Sequence, residues 1–89
     1  MYQLKYAINL EKVLKYIPKE DQNKIRAFLD TLNGIKNPFS ILKKMQGDGD
    51  LYKYRVGNYR MVCKVHKKEL IILIVDIADR KHIYKRIKR

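Results

Sequence analysis

Residues 51–79, LYKYRVGNYRMVCKVHKKELIILIVDIAD, decide the fold. From Leu51 to Val56 the side chains alternate, with Tyr52, Tyr54 and Val56 on one face and Leu51, Lys53 and Arg55 on the other, the period of a strand. Gly57-Asn58 then closes a hairpin, since a two-residue connection needs positive φ, which these residue types tolerate. The return strand, Tyr59 to His66, sets Tyr59, Met61, Cys63 and Val65 opposite Arg60, Val62, Lys64 and His66. Lys67 and Lys68 open the next turn. The run LIILIV at residues 70–75 is β-branched and apolar on both sides, which predicts a central strand covered on both faces. At an edge it would invite aggregation.

Upstream, residues 34–50, GIKNPFSILKKMQGDGD, mix turn formers with the apolar anchors Phe39, Ile41, Leu42 and Met45. They read as an ordered connection pinned to the core, with a sharp turn at Gly47 and Gly49. Before it, Ile25, Phe28, Leu29 and Leu32 recur at i, i+3, i+4 and i+7, which predicts an amphipathic helix. Glu20 and Asp21 suit its positive N-terminal end and Gly34 its left-handed stop. A shorter helix precedes it, with Asn9 as cap, Leu10, Val13, Leu14 and Ile17 as apolar stripe and Pro18 as terminator. Met1 to Ala7 alternates loosely, as a short half-buried strand does. Downstream, Ile83 and Ile87 stand four apart with Tyr84 beside them, so the basic C-terminal segment is expected to dock as a helix. The expected order is β-α-α-β-β-β-α, one compact α+β domain over residues 1–89 with an antiparallel sheet packed on two N-terminal helices.

Charge is the strongest compositional signal. The 89 residues include 21 Lys and Arg against nine Asp and Glu, a net +12, and such a surface attracts polyanions. Half of the excess lies in residues 80–89, RKHIYKRIKR, with six basic and no acidic side chains. A domain this small has little room for an internal cofactor cavity, and no cofactor is expected. A lone Cys63 excludes an internal disulfide, and with His66 and His82 it falls short of a zinc site; a buried structural thiol is expected. No signal-peptide h-region is evident, and the apolar run Leu70 to Val75 is far shorter than the ~20 residues that span a bilayer. A soluble cytoplasmic protein without membrane contact is therefore expected.

Familiar enzyme motifs do not occur. Asp48 and Asp50 read as turn formers, and Asp76 or Asp79 as a partner of a local arginine or a cap of the last helix, rather than as ligands of two metal ions. Gly47-Asp48-Gly49 lacks the lysine and helix of a phosphate loop, and neither Ser40 nor Thr31 lies near a histidine in sequence. What remains is a set of cations and phenols: Lys53, Tyr54 and Arg55 on one strand, Arg60 past the turn, then Arg80, His82 and Tyr84. Lys81, Lys85 and Arg86 add RNA-binding charge. Guanidinium groups grip phosphate, phenols stack on bases, and histidine carries a proton near neutrality. RNA cleavage without a metal needs a base for the 2′-hydroxyl, charge stabilisation at the phosphate and an acid for the leaving oxygen. Arg55, Arg60 and Arg80 suit phosphate clamping, because arginine keeps its proton, which leaves Lys53, His82 or Tyr84 as base.

These features resemble the RelE/ParE superfamily of toxins from toxin–antitoxin pairs, the RelE branch in particular. The likeness runs along nearly the whole chain and rests on the order of elements, on KKMQGDGDLYKYRVGNYRMVCKV and on the ending DRKHIYKRI. The resemblance implies a toxin that enters the ribosomal A site and cuts translated mRNA, restrained by an acidic RelB-like antitoxin. It matches Lys53 to a motif lysine, Arg60 to the arginine after the hairpin tyrosine, Arg80 to a phosphate-binding arginine and Tyr84 to a stacking tyrosine. Arg55 stands where the branch often has a second lysine, and His82 is similar to the histidine of a YoeB-like branch. The alternatives are a ParE-like toxin that binds a protein such as DNA gyrase, and a basic RNA- or ribosome-binding module without catalysis.

Overall fold

The computed structural model describes residues 1–47 and 50–79. The Asp48 and Gly49 part of the expected turn and the whole expected C-terminal helix lie outside the described residues, as do Arg80, Lys81, His82, Tyr84, Lys85 and Arg86. The elements run β1 (Gln3–Tyr6), α1 (Leu10–Leu14), α2 (Lys19–Leu32), a 3-10 turn (Pro38–Ser40), β2 (Lys43–Lys44), β3 (Leu51–Val56), β4 (Tyr59–His66) and β5 (Ile71–Asp79).

Asn9 caps α1, its side-chain oxygen accepting the Lys12 N–H at 3.1 Å. The helix stops at Leu14, sooner than the apolar spacing implies. A tight bond from the Ile17 N–H to the Leu14 carbonyl, 3.0 Å, swings Ile17 into the core from outside the helix. Pro18 precedes the first turn of α2, whose Ile25, Leu29 and Leu32 are buried. Its C-terminal exit is sewn to β1, because Gly34, at φ 85°, donates to the Tyr2 carbonyl and the Tyr2 N–H donates to the Ile35 carbonyl. An Arg26–Glu11 pair, 2.7 and 3.1 Å, joins the exposed sides of the helices and holds the Glu11 carboxyl below its usual range.

The sheet order is β1-β5-β4-β3-β2. The hairpin β3–β4 pairs as its alternation requires, Tyr54 with Met61 and Arg55 with Arg60, and positive φ occurs only at Gly57 in its turn, the II′ kind. Strand β5 is interior, as expected, between β4 and β1. Two expectations need correction. The sheet is mixed rather than antiparallel, because β1 runs parallel to β5, with Gln3 beside Ile71 and Tyr6 beside Ile74. Alternation marks which face a side chain takes but not the direction of its neighbour, and here the helical crossover carries the chain to the far edge while β1 is left to flank the last strand. The connection 34–50 also contains β2, a two-residue edge strand opposite Lys53 and Tyr52, too short for a period to show.

The helices cover one face. There Tyr52, Met61, Cys63, Val65, Ile72, Ile74 and Ile77 join Leu14, Ile25, Leu29 and Leu32 in the core. Burying a large aliphatic side chain contributes about 1.5–3 kcal/mol, so this layer dominates the stability. The other face holds a smaller cluster of Met45, Leu51, Val62 and Ala78. Hence β5 is sealed on the helix side, while Ile71, Leu73 and Val75 on its other side are half-buried, less covered than the LIILIV run implies. Among the described residues no helix is long and apolar enough to cross a membrane.

Candidate nucleic-acid interface

The cations gather on the face away from the helices. Lys53 and Arg55 project to the same side of β3, and pairing sets Lys43 of β2 opposite Lys53 and Arg60 of β4 opposite Arg55. Directly opposed residues hold their Cβ atoms about 5 Å apart, and like charges so placed disfavour the sheet. Both pairs, one across β2–β3 and one across β3–β4, oppose like charges. With Ile41 and Tyr54 they line an open concavity of about 410 Å³ in which, among the described residues, four cations and no carboxylate are presented.

Each cation is set differently. Arg55 is exposed and its Nε donates to the Gly57 carbonyl at 3.0 Å, which fixes the guanidinium beside the hairpin turn and leaves its terminal nitrogens for a ligand. Lys53 and Arg60 are half-buried and Lys43 is exposed. Tyr54 belongs to the helix side, where its ring is stacked on Phe28. The sheet thus brings together Lys53, Arg55 and Arg60, all expected from the sequence, and adds Lys43, which the sequence reading missed. Its only signal was the Lys43-Lys44 pair itself. The remaining expected site residues, Arg80, Lys81, His82, Tyr84, Lys85 and Arg86, lie outside the described residues.

The arrangement suits a polyanion. Guanidinium groups can take two phosphate oxygens in parallel, and ammonium groups act as point charges. His66 lies at the far end of β4, exposed, in a second concavity of about 350 Å³ where Lys44, Lys67 and Lys68 mix with Asp50 and Glu69. The Lys67 ammonium there sits 5.2 Å from the centroid of the Phe39 ring, and Phe39 itself is partly exposed. Cys63 is fully buried, and desolvation pushes its thiol up to about 12, so it is structural, as expected. Among the described residues no three His, Cys, Asp or Glu side chains are placed to hold a metal ion.

Comparison with known proteins gives concordant matches. The family profile described as the ParE toxin of type II toxin–antitoxin system, parDE, matches residues 5–84. The protein of Methanocaldococcus jannaschii that bears the name RelE1 is 30% identical over 76 residues, covering 83% of this chain and 84% of that one. The solved RelE–RelB complex from Pyrococcus horikoshii contains a chain similar at 30% identity with a TM-score of 0.71, covering 89% of this chain and 94% of that one. The RelB–RelE complex from Methanococcus jannaschii gives 27% identity and a TM-score of 0.70, over 89% and 93% of the two chains.

Proposed function

The chain belongs to the ParE toxin family of type II toxin–antitoxin systems as a RelE-like member, and from that premise we propose that it is a ribosome-dependent, metal-independent endoribonuclease. It cuts mRNA in the A site and so arrests translation in the cytoplasm, with residues 1–89 acting as one toxin domain. The observation that carries this reading is the pair of like-charge rungs, Lys43 with Lys53 and Arg55 with Arg60, on one open concavity. A fold gains nothing from opposing like charges, whereas a phosphodiester bound across them relieves the repulsion and is polarised by it.

In the reaction, Arg55 and Arg60 clamp the scissile phosphate and stabilise the charge that develops on it, with Arg80 joining them. Lys53 is the candidate base for the 2′-hydroxyl on the described face, a candidacy it shares with His82 and Tyr84. Tyr84 also offers a ring for the base beside the cut, and Lys81, Lys85 and Arg86 hold flanking phosphates. The relatives solved as RelE–RelB complexes support an antitoxin partner, and the +12 charge suits an acidic one.

Primer extension on a defined mRNA in a translating extract tests the reading. Wild-type protein is expected to give new ends at A-site codons, absent from naked mRNA and lost in Lys53→Ala, Arg60→Ala, Arg80→Ala and Tyr84→Phe. The second reading, a ParE-like toxin that binds a protein such as DNA gyrase, is favoured by the family profile that matches. Growth arrest without mRNA cuts would select it.

A further inference from the structure

We propose that Asp76 is a positioning residue of the cationic face, acting through Arg60; its catalytic consequence rests on the nuclease reading above. Among the described residues Asp76 is the buried charged side chain, 7% exposed in the middle of an apolar strand. Strand β5 begins by sending Ile72 and Ile74 into the helix-side core, and strict alternation would send Asp76 after them. A bulge prevents this. Val62 pairs with Asp76 but Cys63 pairs with Ile74, so Val75 is the extra residue. The shift hands the core position to Ile77 and turns Asp76 and Ala78 toward the cations.

On that face Asp76 shares a rung with Val62, Lys53 and Lys43, and Arg60 is opposite Ala78 one step along. Asp76 and Arg60 are therefore diagonal neighbours, about 7–8 Å apart at the backbone, within the span of an arginine side chain. The methyl group of Ala78 leaves room for a guanidinium to lie over β5. The carboxylate is anchored at the bulge, its Oδ1 accepting the Ile77 N–H at 2.8 Å. An asparagine would satisfy that N–H as well and avoid the desolvation cost of a buried charge. The choice of a carboxylate thus points to use of its charge; of the two half-buried cations on this face, Lys53 lies two strands away on β3, and the one on the adjacent strand that it can orient is Arg60.

The test separates the hydrogen bond from the charge. Asp76→Asn keeps an oxygen for the Ile77 N–H, whereas Asp76→Ala removes both functions. The deciding readout is the Arg60 Nε–H resonance of 15N-labelled full-length protein, assigned by its loss in Arg60→Ala. It is expected to shift and exchange faster in Asp76→Asn while the thermal midpoint stays near wild type. Single-turnover cleavage of ribosome-bound mRNA by Asp76→Asn is expected to slow about tenfold, the scale at which groups that orient a functional side chain are felt, with little further loss in the Arg60→Ala background. An Arg60 resonance unchanged in Asp76→Asn overturns the proposal and leaves Asp76 as a bulge cap. Absence of cleavage by the wild type would remove the nuclease reading alone, since the resonance still decides whether Asp76 orients Arg60.

Discussion

The ring of Phe28 on α2 lies flat on that of Tyr54 on β3, centroids 3.8 Å apart and planes 7° from parallel. The stack clamps the long helix to the strand that carries Lys53 and Arg55, so helix packing and site geometry share one contact. Aromatic pairs add about 0.5–1.5 kcal/mol to the burial of their surface. Phe28→Ala is therefore expected to destabilise by about 2 kcal/mol, read as a lower midpoint in urea. Tyr54→Phe keeps the ring and is expected to leave both stability and RNA binding near wild type.

Binding to RNA should carry the imprint of the two like-charge rungs. The affinity for a single-stranded RNA falls with salt, and the log–log slope is shallower by about 0.7 for every phosphate the protein no longer neutralises. Lys43→Ala is expected to flatten the slope as much as Lys53→Ala, although only Lys53 lies on the hairpin. Fluorescence anisotropy across a salt series checks this, and a Lys43→Ala slope equal to wild type would remove Lys43 from the interface.

That contrast marks what the sequence could reveal. The hairpin faces were legible because Tyr52, Tyr54 and Val56 alternate with Lys53 and Arg55 without interruption, so three of the four cations could be grouped before any fold was known. Lys43 could not, since a two-residue strand has no period. The bulge was visible in principle. Ile72, Ile74 and Ile77 are spaced by two and then three, but LIILIV is apolar throughout and hides the change of phase. The parallel placement of β1 leaves no trace in alternation, and the local pattern of α1 predicts a longer helix because Ile17 keeps helical spacing while leaving the helix.

Leu70 stores backbone strain in the turn before β5. Its φ is 58°, a left-handed conformation that costs a non-glycine residue about 1 kcal/mol. The side chain is 41% exposed, so little packing would be lost by replacing it. Leu70→Asn, which tolerates this geometry, is expected to stabilise by about 0.5–1 kcal/mol and raise the midpoint by about 3–6 °C. Leu70→Ile is expected to do the reverse. Differential scanning calorimetry of the pair gives the sign.

Cys63 links stability to alkaline pH. The unfolded chain releases the thiol proton near the ordinary value of 9.0, whereas the folded chain holds it up to about 12. Between these values the folded state binds the extra proton, so the stabilisation present below pH 9 is lost as pH rises toward 12. Wild type should therefore lose more stability than Cys63→Ala over that window in denaturant melts. In native protein at pH 8 the thiol is expected to resist a disulfide reagent until denaturant is added.

The pairing of Gln3–Tyr6 with Ile71–Ile74 joins strands 68 residues apart in the sequence, about the widest separation in the sheet. During translation, at roughly 5–20 residues per second, β1 has no strand to dock on until β5 has been made. The sheet cannot be completed before β5 is made, and the like-charge rungs, whose Arg60 sits on the strand that β5 supports, gain that support only then. Until β5 has been made, the hairpin that carries Lys53, Arg55 and Arg60 has no strand on its β4 side.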